Sequence, residues 1–547
     1  MLQLFVLFSF FLWLFSLLGI GCFLHAFLSI FFRDFDLSDE LIIFYYGTLG
    51  LICVSVIGTL FNFFIPLGQS FSVIVLLPGL FLFYIYRKNF ISLKKNNLFL
   101  MAMLSLFCGF FSLMNLTNYD TGLYHLPMIN WITKSILPFG LANLHDRFGF
   151  NSSWFVAASI IYPLRSITKS PFFIVNALIY FFYGTLIFSS LLKIQNESKL
   201  KFSSLFILIT FFPWLFTLNP FFVSSPSPDA PIIILIFFTT FLIIRYFENK
   251  KEDNILIALL FSFFALTVKL SAFFCFFEVL LIAIFACKKA TKLKYGIILL
   301  ALLIIGIPYL SRGVILSGYT AFPLTAGYFN FQWSVAPESA ENTANWIKSW
   351  ARIPGVDWHI ALKNPNWPSS WLQRNSVFLW PYCISIALSI LLILLSFILE
   401  KNKKALKFLA ILSLSFSGCL FWFFSAPEPR FGYGYLFSFS SLLWSYGLYN
   451  LFAEKKITDL LMKSVLFLFF FLLIFNNNLS LKQIFKTTKI KNARYEKNTT
   501  NQSDIVFSPK SGDQCFDAPL PCTPYFNKDL KIIKDKNNNF KMFYFEK

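Results

Sequence analysis

The stretch NYDTGLYHLPMINWITKSILPFGLANLHDRFGFNSS, residues 118–153, carries two acids, two histidines, two prolines and three tryptophan or tyrosine rings between apolar runs. Elsewhere in the N-terminal 300 residues the polar breaks are mostly short and basic. A long polar and aromatic segment between apolar runs reads as the first large outer loop of a membrane bundle. Such a loop, at the mouth of the bundle, is where chemistry would be placed. Asp120 is its leading catalytic candidate.

Composition supports the membrane reading. The 547 residues are 57% hydrophobic and 13% charged, with mean hydropathy +0.67. A soluble chain carries about 25% charged residues. Apolar runs of about 17–25 residues recur, matching the thickness of a bilayer's hydrocarbon core. The expected fold is an all-α polytopic transmembrane helix bundle of about 12–14 spans, with two larger extracytoplasmic loops and a short soluble C-terminal tail. The formal net charge is +20, but the basic residues sit mostly in short breaks between apolar runs, where they orient the helices. No nucleic-acid-binding signature accompanies them, so the lipid bilayer is the expected partner and nucleic acid is not. Phenylalanine is abundant (76), as are Ile, Lys and Asn; that pattern follows from an AT-rich genome and carries no functional weight.

Outward from the opening stretch, the chain divides into five parts. Residues 1–97 hold the first transmembrane helices, with runs at 3–31, 41–64 and 66–86, closed by the basic RKNFISLKKNN (87–97). The first run has no basic n-region or cleavage site and reads as a retained span. Residues 98–316 form a central membrane module containing the outer loop, 117–153. Within that loop, apolar positions along 122–137 have one-sided helical spacing, which predicts a helix in the interface plane, ended by Pro138. Residues 154–164 are too short to span and read as a half-helix. Residues 255–287 are bounded by basic clusters on both sides, which predicts two short helices meeting near Lys269 on the outer side. An aromatic-rich second loop occupies 317–375, further helices 376–477 (the last at 460–477), and a polar tail 478–547. Parity of the spans puts the tail outside, although six basic residues in 482–497 argue for the inside.

Four constellations fall on the expected outer face. The first is Asp120 with Tyr124 and His125, followed by Asp146 with Arg147. A carboxylate there can act as general base, or hold a divalent cation beside a phosphate; its bland alternative is to cap the interfacial helix. The second is Asp229 in PSPDAP, opening an apolar helix, where the helix dipole would stabilise it. The third is Lys269 in ALTVKLSAF, a lone cation between apolar helices that needs a partner such as a phosphate or Asp229. Glu278 is similarly costly and has no obvious role. The fourth is Arg430 beside Glu428; its fork suits phosphate, with a local ion pair as the alternative. No histidine spacing suggests a zinc site, and no cofactor is implied. Seven of the nine cysteines lie singly in apolar runs, whereas Cys515 and Cys522 in QCFDAPLPCTP suit a disulfide if the tail is extracytoplasmic.

The arrangement resembles the GT-C class of integral-membrane glycosyltransferases, especially aminoarabinose transferases and protein mannosyltransferases. Tyr119-Asp120 with Tyr124-His125 occupies the place of that class's first-loop acid. Pro228-Asp229 and Thr267-Val268-Lys269 are similar to its later helix-opening acid and following lysine. The resemblance implies inverting transfer of a sugar from a polyprenyl phosphate to a cell-envelope glycan or lipid acceptor, outside a bacterial plasma membrane. Asp120 would be the base and Lys269 would lie near the phosphate. The chain departs from the class in having a single Asp before Thr121 where many members have an acid pair. The wording of LYHLP, GLANLHDRFGFNSSWF, ANWIKSWAR and APEPRFGYGY also resembles an uncharacterised family of bacterial multi-pass membrane proteins. Rival expectations are an envelope lipid or polysaccharide transporter, flippase or polymerase, and a non-catalytic scaffold.

Overall fold

The computed structural model describes residues 2–35, 37–91, 95–162, 172–196, 200–287, 291–399, 405–452 and 494–546. Eight described helices are long and apolar enough to cross a bilayer: Gln3–Leu28, Ile42–Asn62, Gln69–Tyr86, Val175–Ile194, Asp229–Asn249, Lys292–Ser317, Ser376–Ile398 and Phe408–Ser425. The chain is a multi-pass, mostly helical membrane protein.

Eight is fewer than the 12–14 spans expected, and the reason is local. Four apolar segments, Phe99–Phe111, Phe202–Thr217, Asp253–Val268 and Leu270–Ala286, are shorter. The second is itself interrupted at Thr210, where Pro213 has no N–H to continue the helical ladder. Pro429–Phe452 is long, but its Ser, Gly and Tyr content makes it less apolar. The expected span at 460–477 lies outside the described residues.

Burial separates centre from periphery. In Val175–Ile194 and Asp229–Asn249, 94% of the most apolar stretch is buried, against 17% in Gln69–Tyr86 and 11% in Ser376–Ile398. The first two helices are the bundle's core; the last two present their sides to lipid. Asp229 therefore heads a central helix. The N-terminal helices cross closely because small residues allow it. A Cβ on Gly21 would lie 1.8 Å from the Tyr46 carbonyl oxygen, and one on Gly19 2.2 Å from that of Gly79.

The 118–153 segment departs from a surface helix. It forms a single π-helical turn, Thr121–His125, and then the helix Leu126–Lys134. The helix stops four residues before Pro138, at an extended Ser135. Residues Leu126–Ile132 are all buried: the helix packs against Ser153–Ile160, and the C-terminal tail covers Asn130 and Trp131. The half-helix is present as Ser153–Ile160. The two short helices also meet where the charge pattern put them: Asp253–Val268 ends at an extended Lys269, and Phe273–Ala286 follows after one 3-10 turn.

The tail makes the fold more than all-α. Strands β1 (Tyr495–Thr499) and β2 (Ile505–Pro509) pair antiparallel, as do β3 (Lys531–Lys534) and β4 (Phe540–Tyr544). The edge of β4 docks on the first loop: the Phe139 N–H donates to the Lys541 carbonyl at 2.8 Å, and the Phe543 N–H to the Phe139 carbonyl at 2.9 Å. Trp131 packs edge-on against Phe540 and Phe543. The tail thus lies on the same side of the bundle as the first loop. The second loop folds into helices Pro337–Arg352, Trp358–Lys363 and Trp367–Arg374.

Candidate functional site

Four separate parts of the chain bring ions to one place. Arg430, one residue into the helix Pro429–Phe452, reaches both acids: its Nη2 lies 2.8 Å from Asp120 Oδ2 and its Nη1 3.7 Å from Asp229 Oδ2. Lys269 Nζ donates to Asp229 Oδ1. Arg147 Nη1 lies 3.4 Å from Asp120 Oδ1. Side-chain exposure is 4% for Asp229, 13% for Asp120, 15% for Arg430, 24% for Lys269 and 37% for Arg147. The carboxylates are the inner groups and the cations lead outward. Asp146 and Glu428 also lie within electrostatic reach of Arg147 and Arg430, so the charges at this end are shared among several partners. Rings line the cations: Phe431 lies beneath Lys269 at 3.8 Å, and Phe221, Phe431 and Trp350 lie 5.1–5.9 Å from the Arg430 guanidinium carbon.

Each acid is held for a local reason. The helix Leu126–Lys134 is not capped by Asp120, so the capping explanation fails. Instead the Asp120 N–H donates to Asn118 Oδ1 at 3.0 Å, and the Thr121 and Ser225 hydroxyls meet at 2.6 Å. That bond ties the Asp120 turn to the SSPSP loop that delivers Asp229. The Glu428–Arg430 pair is also absent: Glu428 lies 3.6 Å from Arg374, which frees Arg430 to cross to Asp120 and Asp229. Ser152 donates to the carbonyl of Val268 at 2.8 Å, fixing the break at Lys269 against the first loop.

Burial pushes the Asp120 carboxyl up, but Arg430, His125 and Arg147 outweigh it and hold the group below its ordinary value. Asp120 is thus ionised and well paired. His125, one turn along, is 1% exposed and is lowered to about 4 by burial, so it is neutral at physiological pH. Its Nδ1 has no hydrogen-bond partner among the described residues. Tyr124 stands edge-on to His125, and the Arg147 guanidinium lies 5.7 Å from its ring centroid.

The sequence-derived candidates thus separate into two groups. Asp120, Arg147, Asp229, Lys269 and Arg430 share one ion cluster, with Tyr124 and His125 beside it. Asp146 has other partners: it accepts from the Arg147 N–H at 2.7 Å and from the Thr343 hydroxyl at 3.2 Å, and lies 3.2 Å from His145 Nδ1. It links the first loop to the second. Glu278 accepts from Ser417 within the bundle, away from these ion pairs. Among the described residues no group of three or more His, Cys, Asp or Glu is placed to hold a metal ion.

Sequence reasoning missed the contribution of the tail. Cys515 and Cys522 are joined as a disulfide, and residues around Cys515 clamp the Asp120 turn. The Phe516 N–H donates to the Gly122 carbonyl at 2.8 Å, Gln514 donates to the Tyr119 carbonyl at 2.7 Å, and Tyr119 bonds Asp513. That last bond raises the Tyr119 phenol to about 12. Gly122 is needed for this approach, since a Cβ there would meet the Phe516 ring at 2.5 Å. Arg374, the partner of Glu428, was missed too, whereas Trp350 belongs to the aromatic-rich second loop that the sequence made conspicuous.

No curated protein and no solved structure matches this chain. Residues 3–437, most of the chain and all five members of the ion cluster, match the family model described as a domain of unknown function, DUF8201, and the chain belongs to that family.

Proposed function

We propose that the protein is a membrane glycosyltransferase that moves a sugar from a polyprenyl-phosphate donor to an envelope glycan or lipid acceptor, on the outer side of a bacterial plasma membrane. The observation that carries this reading is the bridge made by Arg430 between Asp120 and Asp229, closed by Lys269. Guanidinium and ammonium groups beside a membrane suit a lipid phosphate. An open, mostly apolar groove between Phe274 and the helix Ala405–Ser425, lined also by Ser417, Leu420, Phe421, Phe424 and Ser425, suits the lipid chain.

The chemistry follows from competition for the cations. A donor phosphate binding Arg430 and Lys269 would loosen their hold on the carboxylates. Asp120 would lose its nearest cation, its proton affinity would rise, and it would become a better base. The acceptor oxygen forms a bond to the sugar's anomeric carbon as the bond from that carbon to the phosphate oxygen breaks. The acceptor's proton goes to Asp120, and the electron pair leaves with the lipid phosphate. Arg430 and Lys269 stabilise the charge developing there.

The test is transfer of label from a panel of radiolabelled polyprenyl-phosphate sugars into envelope lipid extract, with wild type and Asp120→Asn. Transfer by wild type alone supports the reading. No transfer by either form, with equal movement of lipid across vesicles by both, overturns it in favour of a flippase.

A further inference from the structure

The helix Pro337–Arg352 is held beside the ion cluster at its middle and its end. At its middle, Thr343 donates to Asp146 at 3.2 Å. At its end, the Ala351 carbonyl accepts from Arg374 at 2.8 Å, and Arg374 lies 3.6 Å from Glu428, two residues from Arg430. Trp350 is seven residues after Thr343, so the two share a helix face. The Trp350 ring lies 5.9 Å from the Arg430 guanidinium carbon, yet the residue is 46% exposed. Trp350 is thus a large ring on a braced helix, beside a largely covered cation and half open to solvent.

We propose that Trp350 is the platform for the sugar ring of the lipid-phosphate substrate. The inference rests on the glycosyltransferase reading and adds a binding residue to it. With the phosphate on Arg430 and Lys269, the attached hexose is one oxygen away and falls beside the Trp350 ring. The C–H face of a pyranose is apolar and flat enough to stack on indole, while its hydroxyls stay in water. Of the three rings beside Arg430, Phe221 and Phe431 are half-buried and Trp350 is exposed. Charge complementarity places the phosphate, and the ring then reads what is attached to it.

The experiment measures binding of two probes of equal chain length, polyprenyl phosphate and polyprenyl-phosphate hexose, to the full chain in nanodiscs. The quantity read is the ratio of the two affinities. Wild type is expected to favour the hexose lipid by about tenfold, equivalent to about 1.4 kcal/mol. Trp350→Ala should bring the ratio to about one, and Trp350→Phe should keep most of it. Trp380→Ala removes a ring that is 69% exposed on a peripheral helix and should match wild type. An unchanged ratio in Trp350→Ala overturns the inference. So does a wild-type ratio of one, which leaves phosphate recognition standing. Binding of neither probe by wild type overturns the glycosyltransferase reading, and the platform with it.

Discussion

The two ends of the helix pair Asp229–Asn249 and Asp253–Val268 each hold buried ions, and they are paired differently. At the far end, Lys294 lies 2.6 Å from Asp253 and 3.3 Å from Asp34, and the Asp34 N–H completes Asp253 at 3.0 Å. The buried acid there, 1% exposed, has a cation and an amide, and the second acid is 71% exposed to solvent. At the Asp229 end Arg430 is shared between two carboxylates and rings line the cations. An ion pair across helices serves as a clamp at the far end and, on the proposed reading, as a receptor where the cations are shared.

The largest effect should come from Asp229→Asn. It leaves Arg430 and Lys269 short of a carboxylate in a mostly buried place, at a cost of about 3–5 kcal/mol, read as a lower melting temperature. Added polyprenyl phosphate should restore more stability to this variant than to wild type, because it supplies the negative charge that Arg430 and Lys269 have lost. Lys294→Met should cost about 3 kcal/mol by stranding Asp253, and the same lipid should restore nothing beyond its wild-type effect. Equal rescue at both ends would erase the contrast between clamp and receptor.

A smaller effect is expected from the cover over the receptor. Closing the loop between Cys515 and Cys522, seven apart in sequence, constrains the unfolded tail by about 2.5 kcal/mol. In a Cys515→Ser, Cys522→Ser chain, hydrogen exchange should rise at Phe516, whose amide holds the Gly122 carbonyl, and not at Lys294. Unchanged exchange at Phe516 would mean that the tail's strands alone hold it down.

Much of this was legible in the sequence, for identifiable reasons. Charge asymmetry placed the break at Lys269, because a lone lysine between two helices too short to span must sit at a polar end. Asp120, Asp229 and Arg430 stood out since ions beside apolar runs are costly and need partners. Their pairing was not legible: nothing in EPR says that Glu428 turns to Arg374 while Arg430 crosses the bundle. The full burial of Leu126–Ile132 was not legible, because one-sided periodicity does not reveal what packs on the other face of a helix. The strands of the tail were missed because β1 and β3 are short and rich in Lys and Glu, with little of the apolar alternation that marks a half-buried strand.

The smallest effect, His125, tests whether the receptor end alone is sensitive to acid. The residue is buried, and Asp120, Asp229, Arg430 and Lys269 all lie within electrostatic reach of it. Burial acts most strongly against its charged form, the two acids favour that form, and the two cations oppose it; the outcome is a value of about 4 against an ordinary 6.5. A histidine lowered on folding contributes stability that is complete above about pH 6.5 and is lost as pH falls toward 4. At pH 5 the loss is about 2 kcal/mol. His125→Phe keeps a ring against Tyr124 and Phe155, whose centroids lie 4.4 and 5.3 Å away, and removes the titration. The variant's melting temperature should therefore fall less than that of wild type between pH 7 and pH 5. Lipid phosphate bound at Arg430 and Lys269 would add negative charge near the imidazole and ease its protonation, so the wild-type slope should flatten when the ligand is present. Parallel slopes for wild type and His125→Phe, with and without lipid, would show that the imidazole does not titrate against this cluster at all.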